Sequence, residues 1–588
     1  MTPFPSRLRA ALSALAFTLA LPALAQEAPP GAPRSILPPA LAEDAASPAD
    51  SGSRPLVETG SLTQGSAVRL GILDAGSGGF DDTLWRDTPP ATVTTLLPNL
   101  PIAQGSPALH DLNRRLLLSA APLTPQAGDA ERTVIAARLR LLAARGDLGG
   151  LTALAGRVGR ELEDDEMVRL KTTALLLGED FEEACITASD QVGRTADAEW
   201  LKLLAFCRAL SGDRAGAALA IELLQETAVD DPTFYQLLNA RLQPSDALVK
   251  LKSLRSASPL VLAMALEQGA ALPEDTLDDA APLVLAKLAA TPALAIEKRL
   301  QAARAVAELG GMPADRLREI YAAAPFSKLD RIGAALIAAE LPPALADALL
   351  YQGIVAANNG AERARMVQAA SLLAASQRAL PALAYLVADA VAEIAPTPET
   401  LPAAADITRL LLLAGRSQEA ALWYAALRAT ASGGDGKATA TLIDLWPLAI
   451  VGAAADAASF SPEILDLWRQ NRQALDEDAR RQQELTLFTL LEALGYAVPE
   501  IAWAGLSGDA AARAEAPPSD PIWTGMIEAA AGGRVGETVL SAAIVCAKGG
   551  PAATPPLLMA SVVRALKDVG LEADARRLAI EALVARGF

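Results

Sequence analysis

The sequence predicts an all-α fold: an α-solenoid of antiparallel helical hairpins behind a disordered N-terminal tether. Three observations predict it. Aromatic residues make up only 4% of the 588, whereas the pleated faces of a sandwich or barrel need aromatic and β-branched side chains. Alanine and leucine, both strong helix formers, are abundant instead. One local theme also recurs along the chain: an apolar helix, a short glycine turn, then another apolar helix.

The chain opens with the marks of a secretory signal peptide. Arg7 and Arg9 supply a positive start, Ala11 to Leu21 run without a charge, and Ala23-Leu24-Ala25 is a small-x-small cleavage site. Cleavage between Ala25 and Gln26 is therefore expected, with residues 1–25 removed and the mature chain delivered to the periplasm. The alternative is a retained N-terminal anchor, but the apolar run is short for a bilayer. No cysteine follows the cleavage site to carry a lipid. Residues 26–65 are rich in Pro, Ala, Ser and Gly, and prolines such as Pro29, Pro30, Pro38 and Pro39 exclude helix interiors. They predict the tether.

Residues 66–105 set apolar anchors among glycines, from Leu70-Gly71-Ile72-Leu73 to Gly76–Phe80 and Leu84-Trp85. That pattern predicts an irregular segment docked on a larger body. Steady helix signals run from about 106 to 400 and form the helical-repeat solenoid. Within it, turn glycines Gly146, Gly178 and Gly212 lie 32 and 34 residues apart, each beside an acidic residue that favours the next helix N-terminus. Most of the prolines from Pro259 to Pro343 fall where a new helix could begin, a position that tolerates them. Residues 401–514 read as a second helical stretch, Glu515–Pro521 as a linker, and 522–588 as a C-terminal helical cap. The long apolar stretch from Ala281 to Ile296 is broken by Pro282, Lys287 and Pro292. No span through a membrane is expected in the mature chain, although mean hydropathy is +0.26.

A hairpin cannot bury both faces alone, so neighbours must stack, and a spacing near 34 residues matches tetratricopeptide repeats. Residues 139–226, with the patches near 409–427 and 565–584, resemble degenerate tetratricopeptide or Sel1-like hairpins, without the full consensus. The stretch from Gly71 to Trp85 and the overall layout resemble a family of Ala-rich exported proteins of alphaproteobacteria. That resemblance implies an architecture and carries over neither an activity nor a site residue.

The chemistry of the chain excludes more than it assigns. The net charge of −18 argues against nucleic acid or anionic lipid as partner. The chain has one histidine and three cysteines, too few for a zinc site. His110, beside Pro107 and Asp111, reads as a solvated or capping residue, with no Gly-x-Ser-x-Gly elbow to serve. Gly433-Gly434-Asp435-Gly436-Lys437 looks like a phosphate loop but has Ala431 and Ala438 at two required positions. It reads as a long flexible loop. The acidic run Glu161 to Glu166 offers carboxylates that glycoside hydrolysis would need, yet reads as a solvated helix start. Thus no catalytic, cofactor or metal residue is expected, and no cofactor.

Cys185 lies on the stripe Phe181, Ala184, Cys185, Ala188, and Cys207 on Trp200, Leu203, Leu204, Cys207. If the two helices fold back about the turn near Gly193, these positions nearly face each other. In an oxidising compartment a disulfide is expected; two buried free thiols are the alternative. Cys546 reads as a buried thiol. The functional expectation is a scaffold that binds a protein or peptide on the solenoid's concave wall. Two alternatives remain: an enzyme or accessory of peptidoglycan turnover that uses the superhelix as substrate guide, and a structural envelope protein.

Overall fold

The computed structural model describes residues 70–123, 129–195, 197–227, 230–244, 247–454, 461–504, 506, 520–546 and 549–588. The expected signal peptide with its Ala25–Gln26 junction, the expected 26–65 tether and most of the expected 515–521 linker lie outside the described residues. Among those described, every regular element is helical, and extended pairing is confined to two isolated bridges, Leu73–Ser119 and Lys250–Ala271. No described helix is long and apolar enough to cross a membrane. The chain is an all-α solenoid of stacked hairpins.

Its most regular part begins with the hairpins Asp129–Arg145/Leu148–Ala155, Asp165–Leu177/Phe181–Val192 and Ala198–Leu210/Arg214–Glu226. Each hairpin turn ends its first helix with an amide that reaches back to the carbonyl five residues earlier: Asp147 to Leu142, Asp180 to Leu175, Asp213 to Arg208. This closes the last turn through one left-handed residue. The same aspartates then cap the second helix, their carboxylates accepting from the amides of Gly150, Glu183 and Gly216. These caps fall at 147, 180 and 213, a constant 33-residue period. The sequence reading put the period on the glycines, and at the middle turn that needs correcting. Gly178 stays right-handed, and Glu179 takes the left-handed conformation at φ 65°. The geometry is fixed relative to the capping aspartate, so whichever residue precedes it must turn.

A second regularity runs across these hairpins. Arg140 reaches Glu166 at the start of the next unit's first helix (2.7 Å), Arg169 reaches Asp197 (2.6 Å) and Lys202 reaches Asp231 (3.0 Å). Each cation neutralises an acid that sits at a helix start, so the ladder ties each unit to its successor. From residue 165 to about 270 the chain also builds its own core around Trp200, Phe206, Phe234 and Met264. The Asp165–Leu177 helix divides that core from the main one: Val168 and Leu176 face the first, Met167 and Leu177 the second.

Downstream, Pro259, Pro282 and Pro343 occupy first helical positions, while Pro313 and Pro342 are themselves the residues before their helices. The expected long loop at Gly433–Lys437 is absent. Ser417–Ser432 turns through Gly434 at φ 91° straight into Gly436–Val451, capped by Asp435. A left-handed glycine plus an aspartate cap makes that connection short.

The array closes on itself. The Pro107–Leu118 helix buries Leu109, Leu112 and Leu116 and packs against Val535–Val545 and Glu572–Val584. Arg115 binds both oxygens of Asp574 (2.8 and 3.0 Å), and Arg577 binds Asp111 (3.1 Å). Gln104 donates to the Ala543 carbonyl (2.8 Å), and the Gly536 amide to the Leu84 carbonyl (2.8 Å). Trp85 lies so close over Gly536 that a Cβ there would meet the indole at 2.5 Å. Upstream, the 70–80 segment is held on the main body by Arg138, whose guanidinium donates to the carbonyls of Leu70, Leu117 and Ser119.

Candidate functional site

Closure places the Gln104–His110 segment, the middle helices and the C-terminal helices around two adjoining cavities. They share Gly105, Arg378 and Pro381. The larger encloses about 880 Å³ and the smaller about 260 Å³.

The larger cavity meets Leu372, Leu380, Val584 and Phe588. Its polar wall contains Ser371, buried with no partner for its hydroxyl, and the pair Asp406–Arg409. Burial pushes the Asp406 carboxyl up, against the pull of Arg409. Glu581 lines the same wall but is turned to another task. Its oxygens accept from the Ser106 hydroxyl and from the Ala108 amide (3.0 Å), so it caps the Pro107–Leu118 helix from 475 residues away. Burial raises its pKa to about 7, while Ser106, Ala108 and Arg577 act in the opposite sense. Cys546 nearby is buried, and its thiol is pushed up to about 12 by the same cause, so it is an inert packing group.

The smaller cavity is lined by Leu317, Tyr321, Leu350, Leu373, Leu383 and Leu386. Arg304 lies between two acids, 2.9 Å from Asp347 and 3.1 Å from Glu308. Burial, reinforced by Asp347, raises the Tyr321 phenol; burial also raises Asp347, against Arg304. His110 completes this end. It is neither solvated nor a cap, contrary to the sequence reading. Ser106 caps its helix, and the His110 ring packs where Gly310 has no Cβ. Burial, aided by Arg145, lowers its pKa to about 4, and its Nε2 has no partner. Arg378 also lines this cavity and is exposed, with φ 56° and no ion pair among the described residues.

The arrangement can hold a ligand by apolar contact and by charged side chains of both signs. Among the described residues, neither the Ser371 hydroxyl nor His110 Nε2 has a hydrogen-bond partner, so neither is paired as nucleophile and base. Among the described residues, no group of three or more His, Cys, Asp or Glu is placed to hold a metal. The remaining sequence candidates lie elsewhere. Cys185 and Cys207 are joined in a disulfide with Cα atoms 5.5 Å apart, linking Phe181–Val192 to Ala198–Leu210. The acidic run is spent locally: Asp164 caps Asp165–Leu177, Glu163 pairs with Lys171 (2.9 Å) and Glu166 with Arg140. Asp347, Tyr321, Arg378 and Glu581 carried no signal in the sequence as a group. Only Arg378 left a trace, as a turn residue three before Pro381 in a turn without glycine. Comparison with protein-family models, curated proteins and solved structures finds no match for this chain.

Proposed function

We propose that this protein is an exported, periplasmic scaffold that binds a protein or peptide within its closed helical array. The observation that carries the reading is the pair of adjoining cavities, apolar in their walls and furnished with charged side chains of both signs. Ligand sites are concave and mostly apolar, with few orienting polar groups. Export rests on Arg7, Arg9, the uncharged run and Ala23-Leu24-Ala25. N-terminal sequencing of protein taken from cells should read Gln26 first; a retained Met1 in the membrane fraction overturns export.

Binding is tested on an immobilised peptide array probed with the purified protein. Leu350→Trp, which fills the smaller cavity, should remove most of the binding while the helical circular dichroism is kept. Equal binding by the filled variant removes the cavity from the reading.

One observation favours the cell-wall enzyme. Glu581, with a pKa near 7, shares a cavity with Asp406, and glycosidases need a raised acid and a second carboxylate. Against it, Ser106 and the Ala108 amide already occupy both Glu581 oxygens. Peptidoglycan degradation lost in Glu581→Gln would replace the scaffold reading with the enzyme.

A further inference from the structure

We propose that the smaller cavity recognises a short apolar peptide with both termini free, its carboxylate on Arg378 and its ammonium group on the Arg304–Asp347–Glu308 cluster. The inference rests on the scaffold reading and names the ligand class of this site.

Charge counting comes first. Arg304 with Asp347 and Glu308 carries one formal net negative charge when both acids are ionised, and the pairs are close enough to act as a unit. His110 adds none at neutral pH, since burial keeps it unprotonated. Arg378 adds one positive charge that no described residue balances. Leu317, Leu350, Leu373 and Leu383 lie among the lining of the same cavity. The complement is a molecule with a cation, an aliphatic body and an anion. A fatty acid leaves the acidic cluster unanswered, and an amine leaves Arg378 unanswered. A guanidinium also suits a carboxylate, which it can hold with two parallel bonds.

The backbone at Arg378 is strained. Arg378 follows the Gly360–Ser376 helix in a turn closed by the Ala379 amide on the Ala374 carbonyl, the closure seen at the hairpin turns. In the turns at 146, 212, 415 and 570 the left-handed position is glycine, and at 179 and 453 it is Glu and Ala. Here it is arginine, which disfavours that conformation. Lys or Ser at this turn would be no easier for the backbone; glycine would be.

The test is isothermal titration of the full folded protein with Leu-Leu-Leu, its C-amidated form, its N-acetylated form and decanoate. The free peptide should bind, and each blocked end should weaken it tenfold or more. Arg378→Gly should keep the fold, raise the melting temperature, and weaken the free peptide tenfold or more while leaving the amidated peptide unchanged. Free and blocked peptides that bind alike overturn the assignment, and so does decanoate that binds as tightly as the free peptide. Failure of Leu-Leu-Leu to bind overturns it too. In each case the scaffold reading stands or falls separately on the peptide array, whose peptides are tethered through one end. The capped peptides keep the inference testable on the unaltered protein if Arg378→Gly does not fold.

Discussion

Two regions of this array hold themselves together in opposite ways. From 165 to 270 the hairpins are tied to their neighbours: a disulfide, a ladder of ion pairs and a core of their own, all within a few tens of residues. At the closure, residues 84–118 meet 535–584 through hydrogen bonds and ion pairs that join positions more than 400 residues apart. A linear stack has free faces and must be fastened at each step. A closed one fastens itself, because each end covers the other's apolar face.

The largest break should come at the closure. Trp85→Ala removes a buried indole from over Gly536 and should cost about 3–5 kcal/mol. Hydrogen exchange should then rise in Val535–Val545 and Glu572–Val584 and stay unchanged in Ala198–Leu210. A uniform rise across all three would show that the two regions are not separate.

The next test uses pH. Glu581 has a folded pKa of about 7 against an ordinary 4.5. Between those values the folded state holds more protons than the unfolded, so this group's contribution falls as pH rises, by about 3 kcal/mol in all. His110 has a folded pKa of about 4 against 6.5, and its contribution falls as pH drops through that window, again by about 3 kcal/mol. The two slopes oppose each other between pH 4.5 and 6.5. Melting temperature should therefore rise with pH in Glu581→Gln and fall with pH in His110→Gln, each relative to the parent. Two variants with the parent's profile would exclude both titrations.

In the locally fastened region, replacing both Cys185 and Cys207 by Ser opens a loop spanning 22 residues and should cost about 3 kcal/mol. The loss should be confined to exchange within Phe181–Leu210. Least of all is expected from Arg169→Gln. Its partner Asp197 is similarly exposed, and such pairs contribute about 0.2–1 kcal/mol. Chemical denaturation that shows a loss much above that range would mean the ladder, and not the core, sets this region's stability.

What was legible in the sequence follows the same division. The acidic residues at the hairpin turns and the cysteine pair could be read because partners lie within one or two helices, where periodicity and turn geometry fix who meets whom. The glycine register was misjudged at Gly178 because the constraint lies on Asp180. His110 reads as a solvated or capping residue from its place by the Pro107 helix start and Asp111, whereas the space it fills is set by Gly310, two hundred residues on. Arg115–Asp574, Ser106–Glu581 and the place of Arg378 in the cavity lining have no local signature. Each exists only after the array has curved far enough to return, and curvature accumulates from small angles that no single residue declares.

The closure also sets a clock. Leu109, Leu112 and Leu116 belong to a helix whose cover includes Glu572–Val584, and Arg115 meets Asp574 across 459 residues. At about 5–20 residues per second, synthesis of the intervening chain takes on the order of half a minute to a minute and a half. Throughout that interval the leucine face has no final partner, so a nascent chain carries a sticky surface near one end while the other is still unmade. Helper proteins that shield apolar segments therefore have their longest task at residues 107–118, and slow translation should raise aggregation more than a comparable delay would in an open array.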